Sequence, residues 1–189
     1  MPAALLLIDV QTPFLGAIPD GAAVLGRCRL AAAGARRLGL PILATEQAPA
    51  KLGPTDPGLK EAAGEGCAVF AKTAFSALGA TGLLEALRDR GVDHLLLAGV
   101  EGPICVHQTA VQALAEDMGV TLLGDAIGAR RPGDQAMAFE ALRRAGAHVL
   151  PVETVLYSLM GDSEHPRFRE IASLVKGLKD ERDERIKGV

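Results

Sequence analysis

The first ten residues contain AALLLIDV, Ala3 to Val10, which is apolar at every position except Asp9. A strand with one wet face alternates apolar and polar residues. A continuous run is covered on both faces, as in a parallel sheet sandwiched by helices. His94–Ala98 repeats the pattern with three consecutive leucines. Shorter runs at Pro41–Thr45, Ala68–Ala71, Val120–Gly124 and Ala147–Pro151 read as further strands. Between them lie stretches of helical length: Ala22–Leu38, stopped by Gly39; Thr81–Arg90, with Thr81 as its cap; Pro103 to about Met118; Gln135–Ala145; Glu153–Met160; and Pro166–Leu178. Strands alternating with helices predict a Rossmann-like three-layer α/β/α fold, its mostly parallel sheet having about six strands. Residues 1–178 read as one domain and residues 179–189, KDERDERIKGV, as a polar solvated tail.

Charge and composition narrow the partners. The formal net charge is −3 and no basic stripe is present, so nucleic acid is not an expected ligand. Aromatics are 3% of residues, with no Trp to stack bases. No apolar run approaches the roughly 20 residues of a membrane span, and the amino terminus lacks a basic leader region. The three cysteines, Cys28, Cys67 and Cys105, are odd in number and lack CxxC spacing. That gives no support for a disulfide framework or a zinc site and suits a reducing cytoplasm.

Ligands of open α/β sheets bind beyond the carboxyl ends of the strands. Three chemistry-bearing residues fall at such ends: Asp9, Lys72 and Cys105. After the strand ending at Ala98, Gly102 can cap a helix opened by Pro103, which places Cys105 in the first turn. Free N–H groups and the positive helix end there favour a thiolate. A buried structural cysteine is the alternative reading. Phe14 and Phe75 follow Asp9 and Lys72 closely and can wall a small pocket, or simply pack their loops. Gln11, Glu46 and Gln47 are polar candidates at strand ends. Residues 46–58 hold three prolines and read as a long irregular loop, as does Gln11–Gly21. His107 is two residues from Cys105, a spacing that does not share a helix face. Cys28 and Cys67 read as structural. No G-x-G-x-x-G follows the first strand, and neither a Walker motif nor G-x-S-x-G occurs.

LLLIDVQTPF, VFAKTAFSAL and LLLAGVEGPICVHQTA, in that order, resemble the isochorismatase-like cysteine hydrolases. The resemblance runs from about Leu5 to about Leu159 and includes DAIGAR and AGAHVLPVETVLYSL. TEQ and KLGPT are similar to the isochorismatase-domain subgroup. The resemblance implies Asp9 as general base, Lys72 as cation and Cys105 as nucleophile. It also implies a cis peptide at Val100–Glu101, so that the backbone N–H groups of Glu101 and Cys105 form an oxyanion hole. Gln11, Phe14, Gln47, Phe75 and Gly102 are the expected substrate contacts. The implied reaction is hydrolysis of a small amide or related acyl compound through a thioester, without metal or cofactor, in a homo-oligomer. ATEQAPAKLGPT lacks the histidines that bind metal in nicotinamidases. Gly102 stands where the family frequently has Thr, with Pro103 after it. Two other readings stay open: an idle scaffold that binds a partner, and vinyl-ether hydrolysis of the isochorismate kind.

Overall fold

The computed structural model describes residues 2–177, so the tail expected at 179–189 lies outside the described residues. Among the described residues, six parallel strands form one sheet in the order β3-β2-β1-β4-β5-β6. They are β1 (Ala3–Ile8), β2 (Ile42–Gln47), β3 (Ala68–Lys72), β4 (His94–Val100), β5 (Gly119–Gly128) and β6 (His148–Leu150). The two apolar runs became the two central strands. β1 is flanked by β2 and β4, and Leu5–Ile8 pairs in register with Ile42–Thr45 on one side and Leu96–Gly99 on the other.

The side-chain period of two splits β1 between two cores. Leu5 and Leu7 pack with α2 (Gly21–Arg37), α4 (Pro57–Ala63), α8 (Val152–Met160) and α9 (Phe168–Gly177). Ala4, Leu6 and Ile8 pack on the opposite face with α5 (Leu83–Asp89), α6 (His107–Ala115) and α7 (Pro132–Arg144). Leu5 to Ile8 are all at most 1% exposed, which is why neither face tolerates a polar residue. The expected three-layer α/β fold is what forms.

Several boundaries differ from the sequence reading. The two loops contain helices: α1 (Thr12–Gly16) and α3 (Pro49–Leu52), besides α4. Prolines open each of the three, where a missing N–H costs nothing, so residues read as loop punctuation are helix starts. Asp56 caps α4 by accepting from Leu59 N at 2.8 Å. Thr81 is not a cap; Gly82 occupies that position with φ +82°. β5 continues past Asp125 because that carboxylate is satisfied within the fold, by Val152 N at 2.8 Å and Arg27 Nε at 3.7 Å.

The chain runs outward from β1 to β2 and β3, then returns to start β4 on the other side of β1. β1 and β4 therefore flank the topological switch point, where such sheets open a crevice at their carboxyl ends. The two strands approach closely there. A Cβ on Gly99 would lie 2.1 Å from the carbonyl oxygen of Ile8, and its φ of +121° belongs to glycine.

Candidate active site

Asp9 is the residue after β1 and has a left-handed backbone, φ +52°, which Asp adopts more readily than most residues. Its side chain is fully buried. One carboxylate oxygen accepts from Thr45 Oγ1 at 2.8 Å and the other from Lys72 Nζ at 2.7 Å. Lys72, the last residue of β3, is also completely enclosed at its side chain. Its ammonium reaches Gln47 Oε1 at 2.6 Å, the carbonyls of Ala74 and Phe75 at 3.1 and 3.2 Å, and Cys105 Sγ at 3.8 Å. A buried charge pair is tolerated when further hydrogen bonds satisfy both ions, and here they do.

Cys105 arrives from the turn after β4. The chain forms a π-helical turn, Gly102–Val106, before α6 begins at His107, so Cys105 is not in the first turn of an α-helix as the sequence suggested. The Val100–Glu101 peptide is cis. The Glu101 carbonyl accepts from Ile104 N and Val106 N, both at 3.1 Å, and the Glu101 N–H faces the Cys105 sulfur. Thr109, one helical turn further on, donates to the Cys105 carbonyl at 2.6 Å and accepts from Ala77 N at 2.8 Å. It ties the Cys105 turn to the segment after Lys72.

The thiol differs from the sequence expectation in one respect. Burial, with the nearby Asp9 carboxylate, pushes Cys105 up to about 11, against the smaller pull of Lys72 and the Glu101 N–H. The expected lowering by an ammonium and a helix terminus is outweighed. Burial also raises Asp9, with Lys72 and hydrogen bonds from Thr45 and the Cys105 thiol offsetting part of that. Cys105 therefore keeps its proton at neutral pH, beside the Asp9–Lys72 pair.

The expected substrate contacts fall into different places. Gln47 is beside the cluster; its amide also donates to Thr73 O at 3.0 Å. Phe75 is beside it too, 57% exposed, its carbonyl on Lys72. Gln11 is buried and its carboxamide is committed to backbone: it accepts from Gln47 N at 2.8 Å and donates to Gly53 O at 2.6 Å. Phe14 packs against the α2-side core. Glu46 is turned inward, accepting from Thr55 N at 2.7 Å. Gly102 is buried, and a Cβ there would meet Gln135 Oε1 at 2.8 Å and Ile127 Cγ2 at 3.1 Å. Ile127 and Gln135 also line a cavity of about 280 Å³ with Ile18, Val24, Gly128 and Phe139. Thr45 and Thr109 were missed by sequence reasoning; only the four-residue spacing of Thr109 from Cys105 on a helix signalled it. Among the described residues no cluster of three or more His, Cys, Asp or Glu side chains is placed to hold a metal.

These features define a three-layer α/β protein with a buried Asp–Lys–Cys cluster at its switch point. A family model described as the isochorismatase domain matches residues 3–154. The chain belongs to the isochorismatase family. It is 33% identical to isochorismatase domain-containing protein 1 of Salmo salar over 174 residues, 92% of this chain but only 60% of that protein. It is 34% identical to isochorismatase domain-containing protein 2 of Homo sapiens over 178 residues, covering 92% and 83% of the two chains. A solved structure named MAR1 ribonuclease from Caenorhabditis elegans superposes with a TM-score of 0.87 at 32% identity, covering 94% of this chain and 92% of that one.

Proposed function

We propose that the protein is a cysteine hydrolase that cleaves the C–N bond of a small amide, or a related acyl bond, through a thioester at Cys105. The observation that carries this is the convergence of Lys72 Nζ on Asp9 Oδ2 at 2.7 Å and Cys105 Sγ at 3.8 Å, from three separate strand ends. Asp9 takes the thiol proton as sulfur attacks the carbonyl carbon, and hands it to the nitrogen that leaves. Lys72 stabilises the negative charge passing between sulfur and carboxylate. The N–H groups of Glu101 and Cys105 face the developing oxyanion. Water, deprotonated by Asp9, then releases the acid and restores the thiol. The role of Gln47 is to hold Lys72, and Phe75 borders the entrance. Gln11 and Phe14 brace the surrounding loops.

The name ribonuclease belongs to the C. elegans protein. For this chain a formal charge of −3 argues against a polyphosphate substrate. Three free cysteines suit a reducing compartment such as the cytoplasm. A homo-oligomer is also part of the proposal. Phe75, Val111 and Met137 are 57%, 47% and 66% exposed, and Ser76 Oγ bonded to Gln112 at 2.6 Å sets the Phe75 segment against α6.

A panel of small amides, read by release of ammonia or amine, tests the reaction. Cys105→Ala should abolish turnover, and Asp9→Asn should lower kcat by a factor on the order of 10² to 10⁴, the usual worth of a general base. Full activity in Cys105→Ala would remove the thioester and move the assignment toward vinyl-ether chemistry.

A further inference from the structure

We propose that the Glu101–Arg130 ion pair is a positioning device that holds the Glu101 backbone N–H against the reacting atoms at Cys105. The inference rests on the nucleophile reading of Cys105 and adds two side chains to it. Every polar group of Glu101 is engaged around the nucleophile turn. Its carbonyl takes the N–H groups of Ile104 and Val106, and its own N–H faces the sulfur. Its carboxylate takes three donors from one residue: Arg130 Nε at 2.6 Å, Arg130 Nη2 at 3.2 Å and Arg130 N at 3.1 Å.

Arg130 lies just beyond β5, whose Gly128 pairs with Val100 of β4. The pair thus bridges two adjacent strand ends at the switch-point edge. Exposed ion pairs usually contribute little, but this one is two-pronged and its carboxylate is only 9% exposed, while the Arg130 side chain is 62% exposed. A fork-on-fork contact constrains rotation as well as distance. Rotation is what matters for a peptide N–H that must point at a sulfur on one side and an oxyanion on the other. Burial works against the Glu101 carboxylate, and the hydrogen bonds and charge of Arg130, aided by Arg131, outweigh it and hold it ionised well below the usual range. The remaining charges are accounted for: Asp9 and Lys72 face Cys105 from β1 and β3, and Arg131 pairs with Asp134 at 3.8 Å.

Alkylation of Cys105 by iodoacetamide between pH 7 and pH 11 tests this, with peptide mapping to separate Cys105 from Cys28 and Cys67. Arg130→Met strands a carboxylate, so the decisive variant is Glu101→Gln with Arg130→Met, which removes the contact and leaves the net charge unchanged. Loss of one hydrogen bond to the thiolate should displace the profile upward by about one unit and slow labelling at pH 9 about tenfold. Arg130→Lys, which keeps the charge but not the fork, should recover part of the rate. On an amide substrate the double variant should lower kcat with KM little changed. A double variant that labels with the wild-type profile overturns the proposal, even if its unfolding midpoint falls, because that is a purely structural role. Labelling needs no substrate, so this result is independent of whether Cys105→Ala abolishes turnover.

Discussion

Cys105 keeps its proton at neutral pH because it is buried and faces a carboxylate, so in the proposed hydrolysis its activation has to occur during attack and not before it. Burial is the larger cause and the Asp9 carboxylate adds to it. The two roles of Asp9 therefore oppose each other in a way that can be measured. In the proposed mechanism it accepts the proton during turnover, yet its charge adds to the burial that holds the thiol up at about 11. Asp9→Asn should slow amide turnover as stated above while lowering the thiol's apparent pKa, so that iodoacetamide labels Cys105 faster than in the wild type at pH 8. Lys72→Met should do the reverse, raising the thiol further. Equal labelling of wild type and Asp9→Asn at every pH would mean that the carboxylate does not face the sulfur. Turnover should fall as pH drops through Asp9's folded pKa, which burial sets above the ordinary carboxylate range, because the protonated acid cannot accept the thiol proton.

At the scale of elements, what the residues announced and what they hid divides along a physical line. AALLLI and LLLA each read as doubly covered strands because burial on two faces leaves a mark on every residue, and β1 and β4 are where that reading placed them. Asp9, Lys72 and Cys105 were legible as strand-end residues for the same reason. The π-helical turn was not legible, because Gly102–Pro103 is equally good at opening an α-helix. Nor was the inward turn of Gln11 and Glu46, which depends on chain segments 36 and 9 residues away in sequence. The sign of the Cys105 shift was missed too, since burial depth is a property of packing and not of spacing. Gly99 belongs to this scale as well. In Gly99→Ala the new methyl cannot fit beside Ile8 O, and β1 and β4 would have to part. Destabilisation of more than about 3 kcal/mol is expected, together with loss of soluble protein, read by urea unfolding and yield. A soluble variant of wild-type stability would show that the two strands can separate freely.

At the scale of the molecule, the described residues include no helix long and apolar enough to cross a membrane. Phe75, Val111 and Met137 project outward, from the segment after β3, from α6 and from α7. Light scattering on the purified protein should therefore give a dimer or a larger assembly of identical chains. Phe75→Ser with Val111→Ser and Met137→Ser should shift it toward smaller species. A wild-type monomer at micromolar concentration would overturn the homo-oligomer.

The separation of the three site residues along the chain has one more consequence, for the order in which the ribosome delivers them. Asp9 and Lys72 both lie in the half of the sheet made from β1, β2 and β3, so both partners of the ion pair are delivered before Cys105. Cys105 belongs to the second half and meets its partners only when β4 docks along the open edge of β1. The carboxylate thus acquires its counter-ion from the first half of the chain. The thiol is delivered after both charges, and no unpartnered charge has to be buried when it docks.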